Sequence, residues 1–263
     1  MYTHGHHDSV LRSHRSRTAE NSAAYLLPRL RPGLDLLDVG CGPGTITRDL
    51  ARIVAPGRVV ALDASAEVLE EARATCVKGG VDNVEFRQGD AEALPFDEGS
   101  FDVVHAHQVL QHVRRPVRVL EEMGRVCRPG GTVAARDGDY HGQVWWPPEP
   151  LLDRWLELYT EVARSNGGEP DAGRRLLSWA KDAGFSTVVS SASAWCADTP
   201  QQCDWWADLW AERTTSSSLG ARAIELGLSD ADELGRLAEG WRSWAAAPGA
   251  WLAFIHGEIL AEA

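Results

Sequence analysis

Leu36-Leu37-Asp38-Val39-Gly40-Cys41-Gly42-Pro43-Gly44 decides the fold. Its first residues form a short apolar run of the kind that makes a strand buried on both faces. Glycines at 40 and 42 permit a tight turn and let a ligand approach the backbone closely. A helical pattern resumes from about Thr45 to Val54, so the unit reads strand, glycine turn, helix. Outward from it the same alternation continues. Arg58 to Leu62 is a second strand ending at Asp63, and Ser65 caps a helix with Glu67 to Glu71 in its first turn. Val84-Glu85-Phe86 is a third strand closed by Gly89-Asp90, and Phe101 to His107 a fourth. A helix over Pro116 to Cys127 and a turn at Pro129-Gly130-Gly131 lead into a fifth strand, Thr132 to Arg136. Strands alternating with helices demand a parallel sheet with right-handed crossovers, hence an α/β, doubly wound, Rossmann-like sheet.

Both flanks elaborate this core. Thr18 to Leu30 reads as a helix, with Ala23, Leu26, Leu27 and Leu30 on one face. Beyond the fifth strand, Pro147 to Arg164 and Ala172 to Ala183 are expected helices, Phe185 to Ala192 a strand, and Trp251 to Ile259 a last, antiparallel strand. The stretch from Ala197 to Gly249 is too long for a loop and carries helical patterns at Trp205–Arg213, Ala221–Leu226 and Asp230–Ala246. We read one domain over residues 1–263 with a seven-stranded, mostly parallel sheet. It divides into an N-terminal lid (1–33), a cofactor core (34–140), the rest of the core (141–197), an inserted helical cap (198–249) and the last strand (250–263).

Ligands of open α/β sheets bind at the carboxyl ends of the strands. Here those ends carry Asp38 with the glycine turn, then Asp63, then Asp90, then His107-Gln108. A dinucleotide pyrophosphate wants bare N–H groups with no carboxylate nearby. Three acids around one crevice suit a ligand with positive charge instead. S-adenosylmethionine fits, with a sulfonium, an ammonium, a ribose for Asp63 and an adenine amine for Asp90.

Five motifs in order resemble the class I S-adenosylmethionine-dependent methyltransferases, closest in style to the ubiquinone/menaquinone biosynthesis group. They are the glycine stretch; Leu62-Asp63-Ala64-Ser65; Gly89-Asp90-Ala91-Glu92-Ala93-Leu94-Pro95-Phe96; Ser100-Phe101-Asp102-Val103-Val104; and Leu120 through Gly131 with Arg125 and Arg128-Pro129-Gly130-Gly131. The match covers about residues 34 to 137. The resemblance implies that Gly40, Cys41 and Gly42 touch the methionine part and that Asp38 holds the turn and reaches the ammonium. It further implies that Asp63 binds the ribose between Ala64 and Ser65, that Asp90 and Ala91 contact adenine, and that His107 and Gln108 lie under the methionine chain. In such proteins the segment before the first strand closes over the cofactor, which makes Tyr2, His6, Arg12 and Arg17 candidate lid residues.

Methyl transfer needs a base only if the acceptor must lose a proton, and a histidine suits that at neutral pH. His112 occupies the place where related enzymes have a histidine facing the transfer site, as a base or a positioning group; His141 is a second candidate. His105 and His107 share a strand face, but a third ligand is missing, so no metal is expected. Cys41 reads as a small filler beside the ligand.

All 11 tryptophans fall between Trp145 and Trp251. Adjacent pairs cannot both face one core, so Trp145, Trp146, Trp206 and Trp210 are candidate acceptor-binding residues, while Trp179, Trp241 and Trp251 read as core. The expected acceptor is a small aromatic, quinol or indole-like molecule methylated on carbon or oxygen. Exposed tryptophan in the cap is also a candidate homo-oligomer contact.

Composition narrows the classes. Lys+Arg number 26 against 38 Asp+Glu, a net charge of −12, which disfavours nucleic acid partners. No apolar run reaches membrane-spanning length, and the first residues lack the pattern of a signal peptide. Five cysteines without CxxC spacing point to a reducing cytoplasm. Abundant Arg with only Lys78 and Lys181 as lysines is the usage of GC-rich bacterial genomes, where such enzymes tailor secondary metabolites. Two alternatives stay open: a protein-directed methyltransferase, and an NAD-dependent oxidoreductase, which would require Gly-x-Gly-x-x-Gly where Gly40-x-Gly42-x-Gly44 stands.

Overall fold

The computed structural model describes residues 13–263. A seven-stranded sheet in the order β3-β2-β1-β4-β5-β7-β6 forms its centre. The strands are β1 (Leu36–Val39), β2 (Val59–Asp63), β3 (Val84–Gln88), β4 (Phe101–His107), β5 (Cys127–Trp146), β6 (Val188–Ala197) and β7 (Trp251–Glu262). β3, β2, β1, β4 and β5 run parallel, and β7 is antiparallel to both of its neighbours. Strand order reverses between β1 and β4, and a crevice opens at the carboxyl ends of such a pair.

Local chemistry starts and stops each helix. Gly44, at φ 78°, turns the chain from β1 into α1 (Thr45–Val54), which buries Ile46, Leu50, Ala51 and Val54. The Ser65 hydroxyl accepts the Val68 N–H at 3.3 Å and caps α2 (Ala66–Lys78). Pro116 opens α3 (Pro116–Val126), since its missing N–H costs nothing in a first turn. α4 (Pro150–Ser165) and α5 (Ala172–Asp182) follow β5. Between β6 and β7 stand α6 (Pro200–Ser216), α7 (Ser218–Glu225) and α8 (Ala231–Ala245).

Four of the tryptophans fill one core beneath these last helices. Trp155 of α4, Trp210 of α6, and Trp241 and Trp244 of α8 are fully buried beside Tyr159 and Phe254. Trp155 stands edge-on to Trp210 and Trp241, with ring centres 4.6 and 4.9 Å away. Its Nε1 donates to Thr214 Oγ1 at 3.1 Å, so the polar edge is satisfied inside the core.

The helix expected over Thr18 to Leu30 does not form. The chain makes one helical turn at Ala19–Ser22 and a 3-10 turn at Leu27–Arg29. Thr18 and Asn21 close a capping box across that single turn, and Pro28 cannot donate to a continuing helix. β6 runs from Val188 to Ala197 rather than from Phe185 to Ala192, and the helix expected from Pro147 begins at Pro150. Trp251, expected in the core, is 39% exposed and pairs with the 60% exposed Trp146 on the outer sheet surface.

Candidate active site

Two cavities open at the carboxyl ends of the strands, one of about 460 Å³ and one of about 760 Å³. The smaller lies against the glycine turn. Gly42, at φ 55°, leaves its Cβ direction open, with nothing nearer than His14 Nδ1 at 3.9 Å, so a ligand can lie on the backbone there. Gly44 has the opposite reason: a Cβ would come within 2.9 Å of the Ala72 backbone on α2.

The acids of this cavity differ in what they do. Asp63 ends β2 and folds back, accepting the N–H groups of Gly42 (3.1 Å) and Ser65 (3.0 Å). Asp90 accepts the Glu92 N–H at 2.9 Å in the turn after β3. Asp38, expected to brace the turn and reach an ammonium, is buried, and both oxygens are engaged within the protein. Thr47 Oγ1 donates to it at 2.6 Å and His105 Nδ1 at 2.8 Å. His105 is thereby the partner of Asp38 rather than half of a histidine pair with His107.

His107 forms part of the cavity wall, fully buried, with neither ring nitrogen hydrogen-bonded. Burial, and then the charges of Arg17 and Arg136, hold it well below the usual histidine range, so the ring is neutral. Cys41 is pushed up by burial and by Asp38 and Asp63, which keeps the thiol protonated and unreactive. Every described residue expected to bind cofactor, from Arg17 through Gln108, borders this cavity. Tyr2, His6 and Arg12 lie outside the described residues.

The larger cavity is aromatic. Trp206 and Trp210, both expected there, line it with Trp195, Trp205, Tyr140 and Phe254. Trp145 and Trp146 do not: Trp145 packs against the tryptophan core, and the Trp146 carbonyl accepts Trp244 Nε1 at 3.0 Å. His141, the second candidate base, borders neither cavity and binds Asp171 through Nδ1 at 2.7 Å.

The cavities share the wall formed by His14, Arg17, Gln108 and His112. His112 sits at this junction with its protonation fixed by a neighbour. Gln111 Oε1 accepts the Gly138 N–H, so the Gln111 amide N–H must donate to His112 Nε2 at 3.0 Å, leaving the ring proton on Nδ1. Burial, then Arg17 and Arg213, push His112 down to about 3. Gln108 is the one non-glycine residue with positive φ (54°) among the described residues, a strained conformation of the kind that clusters at functional sites. Beneath the wall, Asp137 accepts the Gln111 N–H at 3.0 Å and is pushed up to about 7 by burial.

A family profile describing a methyltransferase domain matches residues 30–184. The chain belongs to the methyltransferase-domain family. An uncharacterized methyltransferase of Schizosaccharomyces pombe is 34% identical over 251 residues, spanning 92% of this chain and 89% of the relative. A demethylmenaquinone methyltransferase of Lactococcus lactis is 41% identical over 48% of each chain. The fold is that of the YcgJ protein from Bacillus subtilis, at a TM-score of 0.62 and 18% identity over 92% of this chain and 98% of that one. The methyltransferase uses S-adenosylmethionine, and the dehydrogenase alternative falls. The smaller cavity suits that cofactor: an open glycine cradle, two carboxylates at the rim, and a neutral histidine whose ring nitrogens have no protein partner.

Trp195, Trp205, Arg136, Arg213 and Glu258 also line the larger cavity and His256 holds Gln108, none of them singled out by the sequence. Strand periodicity gave no reason to single out Trp195, because β6 was expected to stop before it.

Proposed function

We propose that the methyltransferase moves a methyl group to carbon or oxygen of a small aromatic acceptor seated in the tryptophan-lined cavity. The shared wall carries this reading: molecules in the two cavities meet at Arg17, Gln108 and His112. Bound S-adenosylmethionine supplies a methyl group on a sulfonium, already activated for in-line displacement. Asp63 and Asp90 are assigned to its ribose and adenine, and the backbone from Gly40 to Gly42 and the His107 ring to its methionine part. Asp38 supports the turn from behind, through Thr47 and His105.

The protein's own task is alignment and exclusion of water, and orientation alone is worth ~7–11 kcal/mol. Trp195, Trp205, Trp206 and Trp210 offer flat faces for a ring. His112 acts as a positioning group rather than a base, because its Nε2 lone pair is occupied by Gln111 and its affinity for a proton is low. Residues 1–33 serve as the lid and residues 198–249 as the cap, a division supported by Arg17 bordering both cavities and by Trp206 and Trp210 lining the larger one. The relatives named for demethylmenaquinone share about half of the chain and are consistent with a quinol-like ring.

Calorimetry with S-adenosylhomocysteine, followed by turnover on a panel of phenols, quinols and indoles, tests the reading. Methylation of a peptide panel with no aromatic turnover would replace it by the protein-directed alternative.

A further inference from the structure

Resting on that reading, we propose that Gln111 is a positioning residue of the transfer site, locking the His112 ring in one orientation and one tautomer. The lock is built from hydrogen bonds at four polar positions of one residue. The Gln111 backbone N–H donates to the buried Asp137 carboxyl at 3.0 Å. Its backbone carbonyl accepts the Glu169 N–H at 3.0 Å, from the segment between α4 and α5. Its side-chain oxygen accepts the Gly138 N–H of β5, and its side-chain nitrogen reaches His112 Nε2, both at 3.0 Å. Two glycines make room for this clamp. A Cβ on Gly168 would stand 2.6 Å from the Gln111 carbonyl oxygen, and one on Gly138 would stand 3.2 Å from the side-chain oxygen.

The direction of the bond to His112 follows from the bond to Gly138. A backbone N–H can only donate, so the Gln111 amide cannot turn its nitrogen towards β5. An N–H of that amide therefore faces His112 Nε2. A proton arriving on Nε2 would set two donors against each other in a buried place, losing the hydrogen bond at the full desolvation cost. Gln111 thus withholds from His112 the lone pair that a general base would use.

Other elements act on the same ring. Arg17 of the N-terminal segment and Arg213 of α6 add their charges to its burial, in the same sense as the lock. His14 borders the same wall, and Asp137 of β5 stands behind it, holding the Gln111 backbone. Alignment is the protein's main contribution to methyl transfer. A ring that neither flips nor exchanges its proton keeps the wall between the two cavities constant.

Two variants separate a lock from a merely structural contact. Gln111→Met keeps the volume and removes both side-chain hydrogen bonds. Gln111→Glu keeps both while its carboxyl is protonated, because C=O accepts from Gly138 as O–H donates to His112; ionisation removes the donor. With retained S-adenosylhomocysteine affinity as the check of folding, the kcat of Gln111→Met should fall about tenfold at every pH. That of Gln111→Glu should stay near wild type at low pH and fall as pH rises, a basic limb absent from the wild-type profile. Equal, pH-independent losses in the two variants, or no loss in either, overturn the lock.

Nitrogen-15 NMR of the histidine rings reads the tautomer without turnover. In wild-type protein saturated with S-adenosylhomocysteine, the ring signal that His112→Leu lacks should keep its proton on Nδ1 between about pH 5 and 8. A proton on Nε2, or a doubly protonated ring, overturns the lock whatever the kinetics. The expected tautomer without methylation of any aromatic leaves the lock standing and sinks the acceptor reading, so the two fail separately.

Discussion

The side-chain amide of Gln108 lies 2.8 Å from Nε2 of His256, and this contact orients both groups. His256 Nδ1 faces the Phe254 carbonyl at 3.1 Å, which can only accept, so Nδ1 carries the proton and Nε2 accepts from the Gln108 amide nitrogen. The Gln108 oxygen is then turned to Arg17 Nη2, at 2.5 Å. One buried histidine on β7 thus sets the amide that anchors the N-terminal segment across the junction. His256→Leu should leave the Gln108 donor unpaired, destabilising the fold by about 1–3 kcal/mol. It should lower kcat more than tenfold with a smaller loss of S-adenosylhomocysteine affinity. Stopped-assay kinetics and calorimetry on the same preparation separate the two, and an unchanged kcat would remove His256 from the orienting chain.

Asp63→Ala should weaken S-adenosylhomocysteine binding by well over tenfold. The carboxylate both faces the cavity and holds the N–H groups of Gly42 and Ser65, so its loss loosens the cradle as well as removing the proposed ribose partner. Calorimetry measures the change directly; a loss below threefold would place the ribose elsewhere.

That these residues would border one cavity was legible because the constraints on them are local. Glycines that must reach positive φ, an acid at each strand end and a serine cap follow one another within short spans, and strand ends of a parallel sheet converge by construction. The acceptor half depends on contacts between distant segments. Gln108 and His256 are 148 residues apart, and no period connects them. Trp146 shows the complementary error. It was read as cavity-lining because two adjacent tryptophans cannot share a core, yet the residue left outside that core faces solvent beside Trp251. The helix expected from Thr18 shows a third case, where apolar spacing fitted a period of 3.6 while capping and Pro28 decided otherwise.

The two candidate bases should separate cleanly. His141 is hydrogen-bonded to Asp171 and borders neither cavity, so His141→Gln should leave kcat within about twofold. His112→Leu removes a polar ring from the wall shared by the two cavities and should reduce kcat/KM by tenfold or more. Because His112 is held down to about 3, the wild-type kcat/KM profile should show no ionisation of this group between about pH 5 and 8. An acidic limb that disappears in His112→Leu would make it a general base after all.

Tryptophans of the core and of the cavity should respond differently. Trp241 is fully buried among Trp155, Trp210 and Trp244, and Trp241→Ala should cost about 3–5 kcal/mol, read from urea unfolding. Trp205 is half-buried and lines the cavity, so Trp205→Ala should raise the acceptor KM several-fold with a much smaller stability loss. Equal destabilisation by both would mean that the cavity wall is simply more core.

Three histidines around the junction make the fold acid-sensitive. His107 and His256 are held well below the usual histidine range and His112 down to about 3, in each case by burial first and then by neighbouring arginines. In the unfolded chain each takes up a proton below pH ~6.5 that the folded protein refuses. Their contribution is therefore complete above that pH and declines as pH falls, by up to about 1.4 kcal/mol per unit for each ring. Asp137 runs the other way. Pushed up to about 7, it keeps its proton in the folded state where the unfolded chain has released it, so it adds stability as pH falls from 7 towards 4. Three rings outweigh one carboxyl. Urea unfolding of the ligand-free protein should show stability falling as pH drops from about 6.5 to 5. A flat or rising profile over that range would mean that the rings are protonated in the native protein, and the neutral His112 would go with it.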